Sequence, residues 1–525
     1  MYDLDRFERL KEALRVEDFE FLTGSGVRRN YERACVVNGM TSIPKLDYPR
    51  LASTDDMEKL ERCEQILCNE WETICLHGHP QAFNCICTGW PKGVCDERLA
   101  IDSLYLMKIA EKFDMILMLK AAAKGNDQDV HNFSAMIYPF CDKDIAMLTV
   151  RLLRGRVRMA FATCCEPWEK PILDAANDVA GHLSLFPSTD NVTMRSVLPL
   201  PKLERLRAMF LKFEEVQGDL MRIPWEELFP GQPYVPLVKM ASNDPRRQRI
   251  LSVDDELRIL QRACKTMSDR WNAVIKKGHT VAAITYEREQ VWVPDQRPTP
   301  MTYQNWFSFY VHEVLRHLTR HINGHRTGLA LLGEGLAGYL AAEEGITVFS
   351  EYMVGKTGFL RPVAGMETHF ALAIATGVID GVQRNFQETY QILYPAERLT
   401  RMLRQRRLNC EIKWALAEGR TPRADPIYTM AECDAQAQRE AYDTCVRIFR
   451  GTSGTERGRV FAKDSVYMVG VAKIARWVEQ LGDNADKAMY LWLEGKFDPT
   501  DKNTLAALSS FKWFRQKLAA AGIVL

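Results

Sequence analysis

The segment 312–321 reads His-Glu-Val-Leu-Arg-His-Leu-Thr-Arg-His, and together with His325 it holds four of the ten histidines in the chain. Histidine is the commonest metal ligand because its neutral imidazole offers a lone pair near neutral pH. Glu313 follows the first of these histidines, and zinc hydrolases use a glutamate in this place as the general base. The segment therefore predicts a metal-dependent hydrolytic site.

The spacing of the histidines departs from the familiar zincin helix, His-Glu-x-x-His, whose two ligands lie four positions apart. Here Arg316 occupies that position and His317 comes one residue later. On a regular helix, positions i and i+5 point about 140° apart, so His312 and His317 can bind one ion only where the helix is widened, as in a π-bulge. The pairs His317/His321 and His321/His325 have the easier spacing. Spacing alone leaves the ligand pair open.

Hydrophobic periodicity around this segment predicts two helices, over 302–324 and 335–352, with Asn-Gly at 323–324 as the stop signal of the first. Glu344 interrupts the apolar stripe of the second helix, and Glu351 lies two turns further on the same face. Buried carboxylates are rare unless they are paired or bind a metal. Both an acidic metal ligand and surface salt bridges fit this placement.

Upstream of the first helix, β-branched and aromatic residues predict one strand over 281–293. Such a strand either pairs with an extended peptide by edge addition or lies buried within a sheet.

Composition describes a globular protein. The chain has 525 residues, a net charge of +1 and 46% hydrophobic residues, which excludes disorder, collagen and coiled-coil rods as the main architecture. A near-zero charge gives no whole-chain argument for binding nucleic acid or membrane. No uncharged apolar run approaches the roughly 20 residues that span a bilayer, and no signal peptide is recognised. We therefore expect a cytoplasmic location with reduced cysteines.

Residues 1–200 form a cysteine-rich region of predicted helical structure. Cysteines and two histidines crowd into 75–95, yet no Cys-x-x-Cys pair occurs there. Buried thiols are therefore favoured over a second metal site in this region.

Several ordered blocks carry a family resemblance. They are His-Glu-x-x-x-His at 312–317, Asn-Gly at 323–324, Gly-Leu-Ala-Gly-Tyr-Leu at 335–340, Glu-Gly-Ile-Thr at 344–347, Glu-Tyr at 351–352, Arg-Gly at 450–451, Lys-Asp-x-x-Tyr-x-x-Gly at 463–470 and Gly-Lys-x-Asp at 495–498. In order and spacing they resemble the His-Glu-x-x-x-His metallopeptidases. That group includes the microtubule-associated tyrosine carboxypeptidases and the bacterial QEGLA-motif proteins labelled as modulators of flavohaemoglobin expression. The resemblance covers about residues 200–525.

The resemblance implies a mostly α (α+β) fold, in which a zincin-like helical metallopeptidase domain with a small sheet occupies 201–525. It also implies that His312, His317 and Glu344 bind one Zn²⁺ per chain and that Glu313 is the catalytic general base. The chain departs from the family pattern at Arg316, where a small residue is usual, and at Glu343, where the family has Gln. Arg316 is predicted either to narrow the cleft or to supply a charge for the substrate.

The implied activity is that of a carboxypeptidase that removes a C-terminal residue, with the tyrosine of a tubulin-like acidic tail as the favoured substrate. Tubulin or microtubules are then the expected partners, and association with the cytoskeleton the expected location. An aminopeptidase or an endopeptidase on the same metal site is one alternative. A family member without this activity, which acts as a regulatory or cytoskeletal binding protein, is the other.

A carboxypeptidase also needs a cation for the terminal carboxylate and a donor for the oxyanion. The candidates for these contacts are Arg320, Arg326, Lys463 and Tyr467. A solvated charge is the alternative for the cations, and a place in the core is the alternative for the tyrosine. The candidate patch for an acidic partner is Arg401, Arg404, Arg406 and Arg407, with a solvated helix face as the alternative.

Overall fold

Apolar residues that recur every third or fourth position give this chain a mostly helical fold. The computed structural model describes residues 3–523, except 25, 42, 89–95, 242–243, 279–281, 297–300, 355–364 and 420–426. Helices make up 68% of the structure and accompany one small mixed sheet, which confirms the predicted mostly α (α+β) class. Among the described residues, no helix combines the length and the apolar character needed to cross a bilayer.

Before residue 200, the α-helices of the described residues are α1 (Leu4–Leu14), α2 (Asp18–Phe21), α3 (Gly26–Val37), α4 (Thr54–His77), α5 (Ala82–Thr88), α6 (Glu97–Ala123), α7 (Asp127–Ile137), α8 (Lys143–Thr163), α9 (Lys170–Leu183) and α10 (Met194–Val197). Those that follow are α11 (Leu203–Gln217), α12 (Asp219–Leu228), α13 (Val253–Met267), α14 (Tyr303–His312), α15 (Thr319–Arg326), α16 (Leu331–Glu334), α17 (Leu340–Met353), α18 (Met366–Thr376), α19 (Phe386–Ala417), α20 (Met430–Ile448), α21 (Ser465–Leu481), α22 (Ala485–Ala488), α23 (Lys502–Leu508) and α24 (Lys512–Ala520).

The sheet has the strands β1 (Asn272–Lys276), β2 (Ala283–Thr285) and β3 (Gln290–Pro294) in the order β1-β3-β2. β3 runs parallel to β1 and antiparallel to β2. The single strand predicted over 281–293 is therefore wrong within its described residues, because a turn that contains Glu289 at φ 53° divides it in two. β3, which precedes the histidine helix, is paired on both sides and has no free edge for a peptide.

The helix boundaries near the histidines differ from the predicted ones in two places. Gly324 does not end its helix, since α15 continues to Arg326. Glycine is required there by packing instead, because a Cβ at this position would lie 2.4 Å from the carbonyl oxygen of Leu332. α17 begins later than predicted because Gly335 and Gly338 adopt φ values of 111° and 70°, which a helix does not accommodate.

The hydrophobic cores join distant parts of the chain. In one of them, Phe7 and Tyr105 share a cluster with Leu332 and Phe514. A second core combines residues of α8 and α9 with residues of α18, α19 and α20. The predicted boundary at residue 200 therefore does not separate two cores.

α17 and α21 cross at two glycines in close contact. A Cβ on Gly470 would lie 1.9 Å from the carbonyl oxygen of Ala341, and a Cβ on Gly345 would lie 2.4 Å from the carbonyl carbon of Gly470. The two backbones touch directly at this crossing, and the contact brings the start of α21 beside the segment of α17 that carries Glu344.

Replacing Gly470 by alanine is expected to force the two helices apart and to lower the free energy of unfolding by about 1–3 kcal/mol. Gly181→Ala is the matched control, because no atom lies within 4 Å of the place that a Cβ on this helical glycine would occupy. The control is expected to stabilise the protein by about 0.5–1 kcal/mol, since alanine favours a helix over glycine. Urea denaturation of both variants checks this, and equal stabilities would contradict the close crossing.

Candidate metal and catalytic site

The helix that carries the histidines is widened at the point where the sequence requires it. Residues Glu313–Leu318 form a π-helical turn between α14 and α15. The hydroxyl of Thr319 donates a hydrogen bond to the carbonyl oxygen of Val314, 2.9 Å away and five residues earlier. This turn places the rings of His312 and His317 4.9 Å apart between centroids. The predicted widening is confirmed.

Glu344 of α17 completes a cluster with these two histidines. The Nε2 atoms of His312 and His317 lie 3.6 Å and 3.7 Å from its two carboxylate oxygens. A tetrahedral zinc ion with bonds of about 2.0–2.1 Å needs donor atoms about 3.4 Å apart. One oxygen of Glu344 is buried and has no hydrogen-bond partner among the described residues. The donor set and this orphaned oxygen both fit a bound cation.

Two further carboxylates orient the histidines by contacting Nδ1, the ring nitrogen that does not face Glu344. Nδ1 of His317 lies 2.8 Å from an oxygen of Glu343, and Nδ1 of His312 lies 3.2 Å from an oxygen of Glu351. When Nδ1–H donates to a carboxylate, the lone pair of Nε2 remains available for a metal. Burial alone would lower the pKa of His312, but the nearby carboxylates of Glu344 and Glu351 outweigh it and raise the pKa to about 10. The site therefore concentrates negative charge that favours a cation.

Arg320 supports the site from within the core, where no substrate reaches it. Its side chain is fully buried and pairs with Glu343 at 2.7 Å. It also donates to the carbonyl oxygens of Gly495 and Phe497, both at 2.8 Å. Burial would raise the pKa of Glu343, but Arg320 and His317 lower it to about 2. The predicted substrate contact is corrected to a positioning role, in which Arg320 holds Glu343 and Glu343 holds His317.

Arg316 is likewise buried and does not reach a cleft. Its guanidinium lies 3.7 Å from the ring centroid of Phe213, and its Nε donates to the hydroxyl of Ser350 at 2.7 Å. Its two terminal nitrogens have no hydrogen-bond partner among the described residues. Neither predicted role, a narrower cleft or a charge for the substrate, agrees with this position.

The other predicted substrate contacts have different surroundings. Lys463 donates to the fully buried Asp18 at 2.5 Å, and the exposed Arg326 donates to the carbonyl oxygen of Met267. Tyr467, in contrast, lies on α21, which packs against α17, and the charge of Glu344 on α17 is the main cause that raises the pKa of this tyrosine. Of these three residues, Tyr467 has the surroundings of an oxyanion donor.

Glu313 begins the π-helical turn directly after His312. It is partly exposed, and no ion pair or hydrogen bond of its side chain is found among the described residues. A carboxylate that is not engaged elsewhere is available to accept a proton from water beside the ligand cluster.

The alternative pair His321/His325 belongs to a second group that includes Glu334. Arg15 already pairs with Glu334 at 3.0 Å, and Nδ1 of His321 lies 2.9 Å from the carbonyl oxygen of Gly333. The guanidinium of Arg15 neutralises the only carboxylate of this group, and His321 already has a hydrogen-bond partner. This group is therefore a weaker candidate for a metal site than the one at Glu344.

The predicted basic patch is mostly neutralised by acidic residues from other helices. Arg406 pairs with Glu169 and Arg401 with Glu440, which local counting of charges along the sequence cannot reveal. Arg407 pairs with Glu411 one turn away at 2.8 Å. Arg404 is exposed, while residues 420–426 lie outside the described part of the chain.

The described cysteines are free thiols, and several of them, such as Cys63, are buried. Cys95 and the side chain of Cys87 lie outside the described residues. No cysteine joins a potential metal-binding group in the described part of the chain.

Comparison with known proteins finds one family, in a range of the chain that lies downstream of the candidate ligands. The model of the family described as microtubule-associated tyrosine carboxypeptidase matches residues 426–517. The matched range contains three of the sequence blocks noted above, at 450–451, 463–470 and 495–498. The match confirms the predicted family resemblance. Comparison with curated proteins and with solved structures finds no significant match.

Replacing Arg316 by methionine is expected to stabilise the fold by about 1 kcal/mol or more. Two unpaired buried nitrogens cost about 1–3 kcal/mol each, which together exceeds the roughly 2 kcal/mol of the close cation–π contact with Phe213 and the weaker contact with Trp492, whose ring centroid is 5.2 Å away. Ser350→Ala is the opposite control, because it removes the acceptor of Arg316 and should destabilise the protein. Urea denaturation measures both changes. A clear loss of stability in Arg316→Met would mean that the guanidinium is better satisfied than its contacts indicate.

Replacing Glu351 by glutamine is expected to weaken zinc binding by about 10–100-fold, as is typical when the partner of a metal-bound histidine is altered. Competition with a chromogenic chelator measures the affinity. Glu411→Gln, in an exposed pair far along the chain, serves as the control and should bind zinc like the unaltered protein. Equal affinities in all three proteins would rule out a role for Glu351 in orienting His312.

Proposed function

We propose that this protein is a zinc-dependent carboxypeptidase, with one zinc ion per chain, that removes the C-terminal residue of an acidic, tubulin-like tail. The observation that carries the proposal is the convergence of the Nε2 atoms of His312 and His317 on the orphaned carboxylate of Glu344, with Glu313 beside them. Hydrolysis at a single metal needs three such ligands and one free general base.

Each residue of the site has a part in this reaction. His312, His317 and Glu344 would hold the ion, and Glu343 and Glu351 keep the two imidazoles in the ligating orientation. A zinc ion held there would supply Lewis-acid catalysis. Glu313 accepts the proton of the attacking water and returns it to the departing amine. Tyr467 donates a hydrogen bond to the oxygen on which negative charge develops.

The substrate class rests on the family match and not on surface charge. The matched family is named for tyrosine carboxypeptidases that are associated with microtubules, which supports a protein C-terminal tail as the substrate and the cytoskeleton as the location. The paired arginines at 401–407 contribute less positive charge than the sequence indicates, so an acidic tail must be recognised mainly inside the site.

The purified protein is expected to contain one zinc ion per chain and to release the last residue from a tubulin-tail peptide with a free C-terminus. Glu313→Gln should retain the zinc and lower kcat by at least about 100-fold, because general base catalysis contributes about 10²–10⁴. Mass spectrometry of the products and elemental analysis of the metal measure the two outcomes. Glu411→Gln is the control variant.

A C-terminally amidated peptide separates the carboxypeptidase from its alternatives. A carboxypeptidase fails on this peptide, whereas an aminopeptidase or an endopeptidase cleaves it. Protein that holds no zinc, or Glu313→Gln with unchanged turnover, would refute the proposal. Zinc-loaded protein that binds the tail without cleaving it would favour a cytoskeletal binding protein.

A further inference from the structure

A cavity lies between the N-terminal helices and the helices that carry the candidate metal ligands. Its walls include residues of α6 and α17 and of the segments that precede α17, α21 and α23. The space between its walls, including the open mouth, is about 730 Å³. The sequence blocks at 335–340, 463–470 and 495–498 each contribute to its wall, although none of them supplies a metal ligand.

Three of the four lysines in this wall already have acceptors. Lys108 pairs with Glu111, Lys112 donates to the carbonyl oxygen of Val16 at 2.7 Å, and Lys463 pairs with Asp18. These contacts give each of the three ammonium groups a hydrogen-bond acceptor within the protein, and for Lys108 and Lys463 the acceptor is a carboxylate.

Lys496 is the exception. It is 3% exposed, and its Nζ lies 3.7 Å from the ring centroid of Tyr286. No hydrogen bond or ion pair of Nζ is found within the described residues. Burial lowers the pKa of Lys496, although the charges of Glu343, Glu334 and Glu17 oppose this shift, and a buried ammonium without a direct ion pair is costly. An anionic ligand in the cavity would satisfy it.

Among the described residues, no carboxylate of the same wall forms a direct ion pair with Nζ of Lys496, although the charges of Glu334 and Glu17 raise its pKa. Arg15 engages Glu334 at 3.0 Å, and Glu111 accepts from both Lys108 and the backbone N–H of Gly338. Glu17 is exposed to solvent. Together with the unpaired Lys496, these pairings make the interior of the cavity attractive to an anion.

The cavity lies one helical turn from the candidate metal ligands. Leu340 lines it, and Glu344 follows four residues later on the same face of α17. Lys463 also lines the cavity. Tyr467, whose pKa is raised by Glu344, follows Lys463 four residues later in the chain. The Cβ atoms of residues one turn apart on a helix are about 5–6 Å from each other. The cavity wall and the candidate ligand Glu344 are therefore close together on α17.

We propose that this cavity receives the C-terminal residue of the substrate and that Lys496 forms the ion pair with its terminal carboxylate. The inference rests on the proposed carboxypeptidase function and adds the group that makes the enzyme specific for chain ends. The scissile bond then lies toward Glu344 and Glu313, and the side chain of the last residue lies between Tyr286 and Tyr339. Both rings line the cavity.

Lys496→Met tests the proposal, because methionine keeps much of the side-chain length and removes the charge. On a tubulin-tail peptide with a free C-terminus, KM is expected to rise about 10–100-fold, in line with the loss of one charge-assisted hydrogen bond, while kcat changes by less than about threefold. Lys496→Arg should restore most of the affinity. Lys517→Met, in an exposed pair with Glu494, is the control and should leave KM unchanged.

Binding to the inactive background separates this inference from the proposed function. In Glu313→Gln, calorimetry should show the free-acid peptide binding at least about tenfold more tightly than its amide, and Lys496→Met should abolish that difference. If the unaltered protein cleaves nothing but this preference holds, the function fails and the carboxylate site stands. If cleavage is normal and folded Lys496→Met still prefers the free acid, the carboxylate site is refuted.

Zinc content and thermal unfolding are measured for each variant, so that a loss of metal or of fold is recognised. If Lys496→Met does not fold, Lys496→Gln replaces it, and the same preference for free acid over amide decides the outcome. Equal binding of inorganic phosphate and of the free-acid peptide would show that the cavity selects any small anion, which also refutes the assignment to a peptide terminus.

Discussion

The π-helical turn Glu313–Leu318 is the constraint on which the site depends. A regular α-helix would point His312 and His317 to different sides, so no single ion could contact both. The added residue per turn brings the two rings within 4.9 Å and aims both Nε2 atoms at Glu344. A π-turn is less favourable than an α-turn, and it is often retained at functional sites. Here it is the step that converts a histidine-rich helix into a ligand cluster.

The widened turn needs support from the second helix of the site. α17 presents Glu344 toward the histidines, while Glu343 and Glu351 on the same helix bind the far nitrogen of each ring. Arg320, which follows the π-helical turn on the histidine helix, forms an ion pair with Glu343. The two helices are thus joined by alternating charges in a buried environment, where such contacts are strong because water does not screen them. α21 packs against α17 through two glycines and adds Tyr467 to the same wall.

Local sequence patterns predicted the elements near the site but not the side chains that arrive from elsewhere. The spacing of His312 and His317 allows a shared ion only on a widened helix, and the apolar stripe around Glu344 marked an unusual carboxylate, because both signals are periodic. The role of Arg320 was missed, since its partners Gly495 and Phe497 are distant in the chain. The net charge of the arginines at 401–407 was overestimated for the same reason.

Glycine has two structural roles near the site, and the sequence alone did not distinguish them. Gly335 interrupts a helix through its φ angle, whereas Gly324 permits close packing within a helix.

The core that unites Phe7 with Phe514 has a consequence for synthesis on the ribosome. Helices of the first 140 residues emerge early, but their apolar faces are covered by segments that follow more than 300 residues later in the chain. Until then these apolar faces remain exposed to solvent in the nascent chain, where they can aggregate or bind chaperones. Completion of the cavity therefore waits until these later segments have emerged, so shorter nascent chains lack a finished candidate site.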